Sequence, residues 1–352
     1  MRIVLVMTGG GGGGLQQSVV PYAAALTRAG HAVLAIVLGS SPFVAELGSL
    51  GVSVVTTRWP RKPRPFTWIQ ALVIRRAAQA FGAEIALAFA SKGLAPALHA
   101  LGGQMPVLSR CGATRERTVS RLLGADGLIA TSDEMRALIL RLGMPTERVH
   151  LLPNFLTGAA RLHSRAPGDP PVVGSLGRMV PRKGFDVLLR ACGVLARRGR
   201  PVRLLLGGSG RERDALEKLA KAEGVAAEFR GWISNAEKTA FFDEIDIFAC
   251  PSRLEPFGFI YLEAMQAGVP VVTTDTVGAR FIFSPGTDGM VVPQGDAEAM
   301  ADAIAALLDD PKARAEMTAA ARGTFLGRFH IDAATGILDD ILREALAQGA
   351  RG

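Results

Sequence analysis

Cysteine is scarce in this sequence. Its 352 residues include only Cys111, Cys192 and Cys250, and no two of these form a Cys-x-x-Cys pair. This spacing excludes a disulfide framework and a zinc site built on paired cysteines, and it favours a reducing compartment. We therefore predict a cytoplasmic protein.

Long apolar runs are also missing. No run of about 20 apolar residues occurs, which is the length that a membrane-spanning helix needs. The apolar opening run Ile3–Met7 is too short for the core of a signal peptide and is followed almost at once by glycines. We expect neither a transmembrane helix nor a cleaved leader.

Acidic residues are sparse in the first half. Residues 1–165 carry 18 Lys and Arg against 7 Asp and Glu, whereas the remainder carries 22 against 25. A basic half predicts an anionic partner, either nucleic acid, an acidic membrane surface or a phosphorylated acceptor, with a soluble protein that simply has a basic surface as the alternative. No acidic residue lies between Glu46 and Glu84, and this stretch interleaves cations with aromatic side chains, namely Arg58, Trp59, Arg61, Lys62, Arg64, Phe66, Trp68, Arg75 and Arg76. Such a stretch predicts peripheral binding to anionic lipid, with a solvated loop as the alternative.

Short apolar runs alternate with helix-like stretches through the chain. The runs predicted as strands in the first half are Ile3–Met7, His31–Leu38, Val52–Thr56, Ile85–Ala90, Val107–Arg110 and Leu128–Ala130. A Pro- and Gly-rich stretch at 153–171 predicts a linker. The pattern then restarts, with predicted strands Val172–Leu176, Val202–Leu206, Ala226–Arg230, Ile247–Cys250 and Val269–Thr273. Runs that are apolar on both faces indicate parallel strands covered by helices, so we predict an α/β protein of two Rossmann-like domains that face each other across a cleft.

Glycine-rich turns follow two of the predicted strands. The six glycines of Gly9–Gly14 lie between a strand and a helix, where backbone N–H groups can approach an anion. A dehydrogenase would also need an acidic residue near the end of the second strand, but that region reads Leu38-Gly39-Ser40. A second turn, Gly207–Gly210, lacks the Gly-Lys-Ser/Thr sequence of a P-loop.

Charged residues occupy two further turns. Arg178 and Lys183 flank one predicted strand-to-helix turn, and together they could neutralise a diphosphate. Glu255 and Glu263 are separated by seven residues, with Glu255 on a loop and Glu263 just over one turn into a helix that we predict to begin near Phe259. Two such acceptors could bind sugar hydroxyls, although a solvated loop acid and a partner of the helix dipole would look the same in sequence.

The ordered motifs resemble the retaining glycosyltransferases of the GT-B fold known as family 4, or group 1. The features that carry the resemblance span most of the chain and are the first glycine turn, Leu152-Pro153-Asn154, Gly177-Arg178 with Lys183-Gly184, Gly207–Gly210, Glu255 with Glu263, and Ala264–Val272. The resemblance implies an acceptor domain at 1–160, a donor domain at 161–330, and a closing helix at 331–352 that returns to the first domain.

The same resemblance implies roles for individual residues. Arg178 and Lys183 would hold the donor diphosphate, Glu255 would contact the transferred sugar, and Glu263 would bind the ribose. Further donor contacts would come from Gly13, Gly14, Gly208, Trp232, Ile233, Phe257, Gly258 and Phe259. Many relatives carry a histidine after the fourth or fifth strand, but the matching stretches here contain none. Ser91, Lys92, Arg110 and Thr114 are therefore the acceptor-side candidates.

We accordingly predict transfer of a hexose from a nucleoside diphosphate sugar to a glycan or lipid-linked acceptor, in lipopolysaccharide or other envelope-glycan synthesis. No cofactor is expected, and since no Asp-x-Asp occurs, no metal is expected either. The predicted location is cytoplasmic, with peripheral contact to the inner face of the cell membrane. The alternatives are a nucleotide-sugar epimerase of the same fold and a non-catalytic protein that binds anions or nucleic acid. We do not expect nucleic acid as a partner, because such a protein would not need both glutamates and the glycine turns.

Overall fold

A computed structural model divides the chain into two compact units. The first unit comprises Met1–Thr157 and Arg328–Gly352, and the second comprises Gly158–Gly327. The structure describes residues 1–8, 18–57, 67–112, 115–162 and 168–349. These divisions fall three residues before the domain boundaries expected from the sequence.

The first unit is built on a parallel sheet of seven strands in the order β3-β2-β1-β4-β5-β6-β7. The strands are β1 (Arg2–Met7), β2 (Ala32–Leu38), β3 (Ser53–Thr57), β4 (Ile85–Phe89), β5 (Val107–Arg110), β6 (Gly127–Ala130) and β7 (Val149–Leu151). The direction of progress along the sheet reverses between β1 and β4, and this is where ligands bind in open α/β sheets.

Helices cover both faces of this sheet. They are α1 (Val19–Arg28), α2 (Val44–Ser49), α3 (Thr67–Phe81), α4 (Ala90–Leu101), α5 (Glu116–Val119) and α6 (Asp133–Arg141). Every residue of β1 after Arg2 is buried, because alternate side chains enter the two hydrophobic clusters on either face. This double burial explains why the strand is apolar throughout rather than alternating.

The last helix, α14 (Ile331–Gly349), packs on the first unit rather than the second. Its buried residues include Leu338 and Ile341, which belong to the same cluster as α1. Asp339 on this helix lies 2.8 Å from the ring of His31. Arg28 of α1 also forms an ion pair with Asp332 of the last helix at 2.5 Å. The return of the chain to the first unit therefore rests on an apolar helix stripe with polar contacts beside it.

The second unit repeats the architecture with a parallel sheet of six strands in the order β10-β9-β8-β11-β12-β13. Its strands are β8 (Val172–Leu176), β9 (Arg203–Gly207), β10 (Ala226–Gly231), β11 (Ile247–Cys250), β12 (Val271–Thr274) and β13 (Met290–Val292). Its helices are α7 (Phe185–Arg197), α8 (Arg213–Ala222), α9 (Asn235–Glu244), α10 (Phe259–Ala267), α11 (Val277–Ile282), α12 (Ala297–Asp309) and α13 (Pro311–Thr324). Here the strand order reverses between β8 and β11.

The predicted fold class of two parallel-sheet, Rossmann-like domains is confirmed. The expected bounds of β5, β8 and β11 agree with the structure to the residue. The linker prediction was wrong at its start, because Asn154 and Phe155 are buried in the first unit. Phe155 stacks on Tyr22 with ring centroids 5.2 Å apart, so this stretch belongs to the core despite its Pro- and Gly-rich composition.

Candidate functional site

Two turns lie against each other at the carboxyl edge of the second sheet. The backbone N–H of Gly177 donates to the Gly207 carbonyl at 3.0 Å, and that of Met179 donates to the Ser209 carbonyl at 2.9 Å. A Cβ on Gly208 would lie 1.8 Å from the Gly177 oxygen, and its φ of 128° is one that other residues rarely adopt. The contact between the turns therefore requires glycine at 208, independently of any ligand.

Arg178 lies on the first of these turns and is exposed. Its guanidinium forms no hydrogen bond or ion pair with the residues that the structure describes. A guanidinium with all its donors available suits the planar, two-point recognition of a phosphate.

Lys183 lies on the same turn and contacts Glu255. The ammonium forms a short ion pair with Oε2 of Glu255, and the two side chains are only 14% and 12% exposed. The turn that carries Lys183 follows β8, and the loop that carries Glu255 follows β11. Because β8 and β11 are neighbours at the point where the strand order reverses, two motifs 72 residues apart meet there.

Gly184 brings these two segments together. Its φ is 67°, and a Cβ at this position would lie 1.9 Å from the Pro251 carbonyl oxygen. Close to this contact, the N–H of Arg253 donates to the Arg182 carbonyl at 2.8 Å. The loop after β11 can approach Lys183 this closely only because residue 184 has no side chain.

The loop before Glu255 is fixed by a two-point ion pair. Arg253 donates through Nη1 and Nη2 to the two carboxylate oxygens of Asp186, each at 2.8 Å. These hydrogen bonds from Arg253 lower the pKa of Asp186 below its usual range. Beyond Glu255, its carbonyl accepts from the N–H of Gly278 at 2.8 Å, so the loop is held on both sides.

The loop leads directly into α10, as the sequence predicted. Gly258 immediately precedes the helix, and Phe259 is its first residue. Phe257 is buried against the rings of Phe259 and Phe281, with centroids 6.0 and 5.9 Å away. The first N–H groups of a helix have no acceptor within it, so this end of α10 can accept an anion.

Glu263 lies on α10 and is paired with Lys238 of α9. The lysine Nζ is 2.6 Å from Oε1 of the glutamate, and the side chains are 20% and 15% exposed. The other oxygen, Oε2, is buried without a hydrogen-bond partner among the described residues. Burial raises the pKa of Glu263, and the neighbouring Lys238 opposes that shift.

Trp232 and Ile233 follow β10 at the same edge of the sheet. Trp232 is 66% exposed, which is uncommon for so large an apolar side chain. Ser234 then caps α9 in a reciprocal arrangement with Glu237, whose carboxylate accepts from the Ser234 N–H at 2.8 Å. The loop therefore ends at a well-defined helix start.

The acceptor-side candidates lie in the first unit. Ser91 and Lys92 lie in the first turn of α4. Arg110 ends β5 and is 2% exposed, and its Nη2 donates to Oδ1 of Asn154. Its Nε and Nη1 are buried without hydrogen-bond partners in the described part of the chain, and burial lowers its pKa. Gly13, Gly14 and Thr114 lie outside the described residues.

Sequence reasoning missed several residues of this site. Asp186, Lys238 and Arg253 were not singled out, although each forms an ion pair that supports a predicted residue or its loop. Asp186 lies only three residues after Lys183, where its acidic charge in a basic turn could have been noticed. Lys238 offered no such signal, because its partner lies on another helix.

The described residues contain neither a cluster of metal-binding side chains nor a helix that could cross a membrane. Among residues 1–8, 18–57, 67–112, 115–162 and 168–349, no three His, Cys, Asp or Glu side chains gather as ligands of a metal ion would. Within the same ranges, no helix has both the length and the apolar character that crossing a membrane requires.

Two family descriptions match the chain in sequence. "Glycosyl transferases group 1" matches residues 159–324, and "Glycosyl transferase 4-like domain" matches residues 13–154. Taken together, the two matched segments account for most of both units.

Curated relatives match over part of their length. A lipopolysaccharide core biosynthesis glycosyltransferase, LpsE of Rhizobium meliloti, is 34% identical over 225 residues, which is 62% of this chain and 64% of that protein. A GDP-mannose-dependent phosphatidylinositol monomannoside mannosyltransferase of Mycolicibacterium smegmatis is 39% identical over 164 residues, or 44% of this chain and 43% of that protein. The match thus spans between about two fifths and two thirds of these relatives.

Solved structures match the fold over nearly the whole chain. The Anabaena protein Alr3699/HepE, solved in complex with UDP and glucose, has a TM-score of 0.80 at 20% identity and covers 97% of this chain and 99% of its own. A glycosyltransferase from Rickettsia africae has a TM-score of 0.82 at 18% identity, with 97% and 98% covered.

Proposed function

Since the chain belongs to the group 1 glycosyltransferases of family 4, with the GT-B fold, we propose that it transfers a hexose from a nucleoside diphosphate sugar to an acceptor hydroxyl with retention of anomeric configuration. One observation carries this proposal beyond family membership. Arg178, which has no ion-pair partner among the described residues, and a Lys183–Glu255 ion pair lie on the loops after β8 and β11, the neighbouring strands at which the order of the second sheet reverses.

The charges of this cluster suit the departure of a diphosphate. As the bond between the anomeric carbon and the diphosphate oxygen breaks, its electron pair leaves with the diphosphate, where negative charge grows. Arg178 and Lys183 are cationic donors for that charge. Positive charge grows on the sugar carbon, and the carboxylate of Glu255 is the acidic group next to Lys183. In this proposal Lys183 contacts both the bound diphosphate and Glu255, so the leaving group and the sugar bind next to each other.

The acceptor oxygen then bonds to the anomeric carbon on the face from which the diphosphate departs. Its proton passes to the departing phosphate oxygen, so no side-chain base is required. This route agrees with a first domain that lacks the expected histidine. Ser91, Lys92, Arg110 and Thr114 are the residues that we propose for orienting the acceptor.

On the donor side, we propose that Gly13, Gly14, Gly208, Trp232, Ile233, Phe257, Gly258 and Phe259 line the nucleotide and sugar, with Glu263 bound to the ribose. The exposed ring of Trp232 supports this assignment for the loop after β10. The reaction proceeds without a metal in this proposal, because two cationic side chains take the part that a divalent ion would play.

We further propose an envelope-glycan or lipid-linked acceptor and peripheral contact with the inner face of the cell membrane. The support is the basic stretch after Glu46 and the lipopolysaccharide relative. Residues 58–66 lie outside the described part of the chain. Downstream of them, α3 leaves Ile69 and Leu72 each 39% exposed, with the exposed cation Arg76 one turn further along. Apolar and cationic side chains on one helix suit an anionic lipid surface.

The experiment that tests the central proposal is donor hydrolysis. The purified chain is incubated with UDP-, GDP- and ADP-sugars without acceptor, and release of the free nucleoside diphosphate is measured. We expect slow release from one donor class in the wild type and loss of that release in Arg178→Ala. Arg211→Ala, a cation after β9 that also lies on a loop of the second unit, is the matched control. No release from any donor, together with no binding of any nucleoside diphosphate, would contradict the proposal.

A further inference from the structure

Lys238 bonds to only one of the two oxygens of the Glu263 carboxylate. Its Nζ lies 2.6 Å from Oε1, while Oε2 is buried and has no partner among the described residues. A buried acceptor without a hydrogen bond costs free energy, so such an atom in a native protein requires an explanation, for example a bound water or a functional role. The ion pair with Lys238 therefore satisfies only one of the two carboxylate oxygens.

Lys238 is also the charged group that faces Glu263. The elements in most extensive contact with α10 are α9, β12 and α13. Strand β12 has no titratable side chain, and the charged residues of α13, namely Lys312, Arg314, Glu316 and Arg322, form no ion pair with Glu263. On α9, Glu237 caps the helix start and Lys238 is the next residue. Removal of the ammonium would leave the carboxylate partly buried and without an ion-pair partner among the residues that the structure describes.

The position of Lys238 is fixed by the start of α9. The Ser234 hydroxyl and backbone N–H both bond to Glu237, at 2.6 and 2.8 Å, which closes the first turn of the helix. The same helix start follows the loop that carries Trp232 and Ile233. The start of α9 therefore joins the loop of Trp232 and Ile233, which we propose to line the donor, to the residue that holds Glu263.

We propose that Lys238 is a positioning residue that keeps Glu263 ionised and holds its carboxylate toward a ribose hydroxyl of the donor nucleotide. This inference rests on the proposed function, since it takes the ribose as the partner of Glu263. An ionised carboxylate accepts hydroxyl hydrogen bonds more strongly than a protonated acid does. Without the ammonium, burial would favour the protonated form, and recognition of the ribose would come to depend on pH.

The sign of this dependence follows from the burial of Glu263. Its pKa already lies above the usual value, so ribose recognition should weaken as pH falls, and at a higher pH than for an ordinary carboxylate. Loss of Lys238 removes the group that opposes the shift. The low-pH loss of affinity should then begin at a still higher pH.

The test measures nucleotide affinity by calorimetry from pH 5.5 to 9. The probes are the tightest-binding ribonucleoside diphosphate and its 2′-deoxy and 3′-deoxy counterparts. In Lys238→Met we expect about a tenfold or greater loss of ribonucleotide affinity at neutral pH, a smaller loss for the deoxy form that lacks the recognised hydroxyl, and partial recovery at high pH. Lys238→Arg should retain the wild-type profile. Lys221→Met, an exposed lysine of α8, should change nothing.

Each other outcome contradicts the inference in a recognisable way. An equal, pH-independent loss for the ribo and deoxy forms would mean that Lys238 itself binds the nucleotide. Unchanged affinity in Lys238→Met, with a wild type that still prefers the ribonucleotide, would make the ion pair merely structural and leave the proposed function intact. A wild type that binds no nucleoside diphosphate would overturn the inference and the proposed function together. Thermal unfolding of each variant shows whether it is folded. If Lys238→Met does not fold, Lys238→Arg still tests whether a cation at this position maintains the wild-type affinity.

Discussion

Substitution of Gly184 by alanine should damage the candidate site through a single added methyl group. The residue has a left-handed φ of 67°, and its added Cβ would be placed 1.9 Å from the Pro251 carbonyl oxygen. Real Cβ atoms do not approach an oxygen this closely, so the loop after β11 must move away. That loop carries Glu255, and the residue before Gly184 is the lysine that pairs with it.

The expected cost has two parts. A left-handed conformation costs a non-glycine residue about 1–2 kcal/mol. Displacing a close-packed backbone adds about 1–3 kcal/mol, by analogy with overpacked cores. Gly184→Ala should therefore destabilise the second unit by roughly 2–5 kcal/mol.

Gly224→Ala is the matched control. Gly224 has a φ of 66° in the same unit, but an added Cβ there would meet nothing within 4 Å. This variant should show the conformational cost alone, about 1–2 kcal/mol. The difference between the two variants then measures the contact with Pro251.

The assay combines thermal unfolding with donor hydrolysis. Each kcal/mol should lower Tm by roughly 2–4 °C for a domain of this size, so Gly184→Ala should unfold clearly below Gly224→Ala. Only Gly184→Ala should also reduce turnover, because only this substitution separates Lys183 from Glu255. Equal Tm values and equal turnover in the two variants would refute the reasoning, since they would show that the loop yields to the methyl group at no cost.

The two charge clusters, the metal-free reaction and the membrane contact each have a further expected outcome. Arg178→Ala and Lys183→Ala should each lower turnover by about 100-fold or more, since each removes a donor to the leaving diphosphate; near-wild-type kinetics in both would exclude that role. Glu263→Gln should weaken the binding of the free nucleoside diphosphate and of the sugar donor by similar amounts, about 1.5–3 kcal/mol in calorimetry. Glu255→Gln should instead lower kcat and leave the affinity for the diphosphate nearly intact. An equal loss of diphosphate affinity in both glutamine variants would show that both glutamates bind the nucleotide, and that Glu255 is wrongly assigned to the sugar. Activity should survive EDTA, and complete loss with restoration by Mn²⁺ would contradict the metal-free reaction. The chain should co-sediment with anionic vesicles at low salt but not with neutral ones, and absence of binding to both would remove the membrane proposal.

The sequence was sufficient to predict two parallel-sheet domains, because parallel strands that are buried on both faces must be apolar along their whole length. Ile247–Cys250 and Val172–Leu176 could be bounded to the residue for this reason. The three-residue strands Val149–Leu151 and Met290–Val292 were not predicted, since so short a run carries no periodicity of its own. They are strands because their neighbours β6 and β12 supply hydrogen-bond partners.

The candidate site likewise has parts that the sequence predicted and parts that only the tertiary structure decided. The turns with Arg178, Lys183, Glu255 and Glu263 were predictable, because charged residues after apolar runs at strand ends and helix starts have a local signature. What only the tertiary structure decided is the pairing between them: Lys183 with Glu255, and Lys238 with Glu263. Such pairs depend on which strands are neighbours and on which backbones can touch. Those are properties of the strand order and of a missing side chain at Gly184, and they leave no spacing that can be seen along the chain.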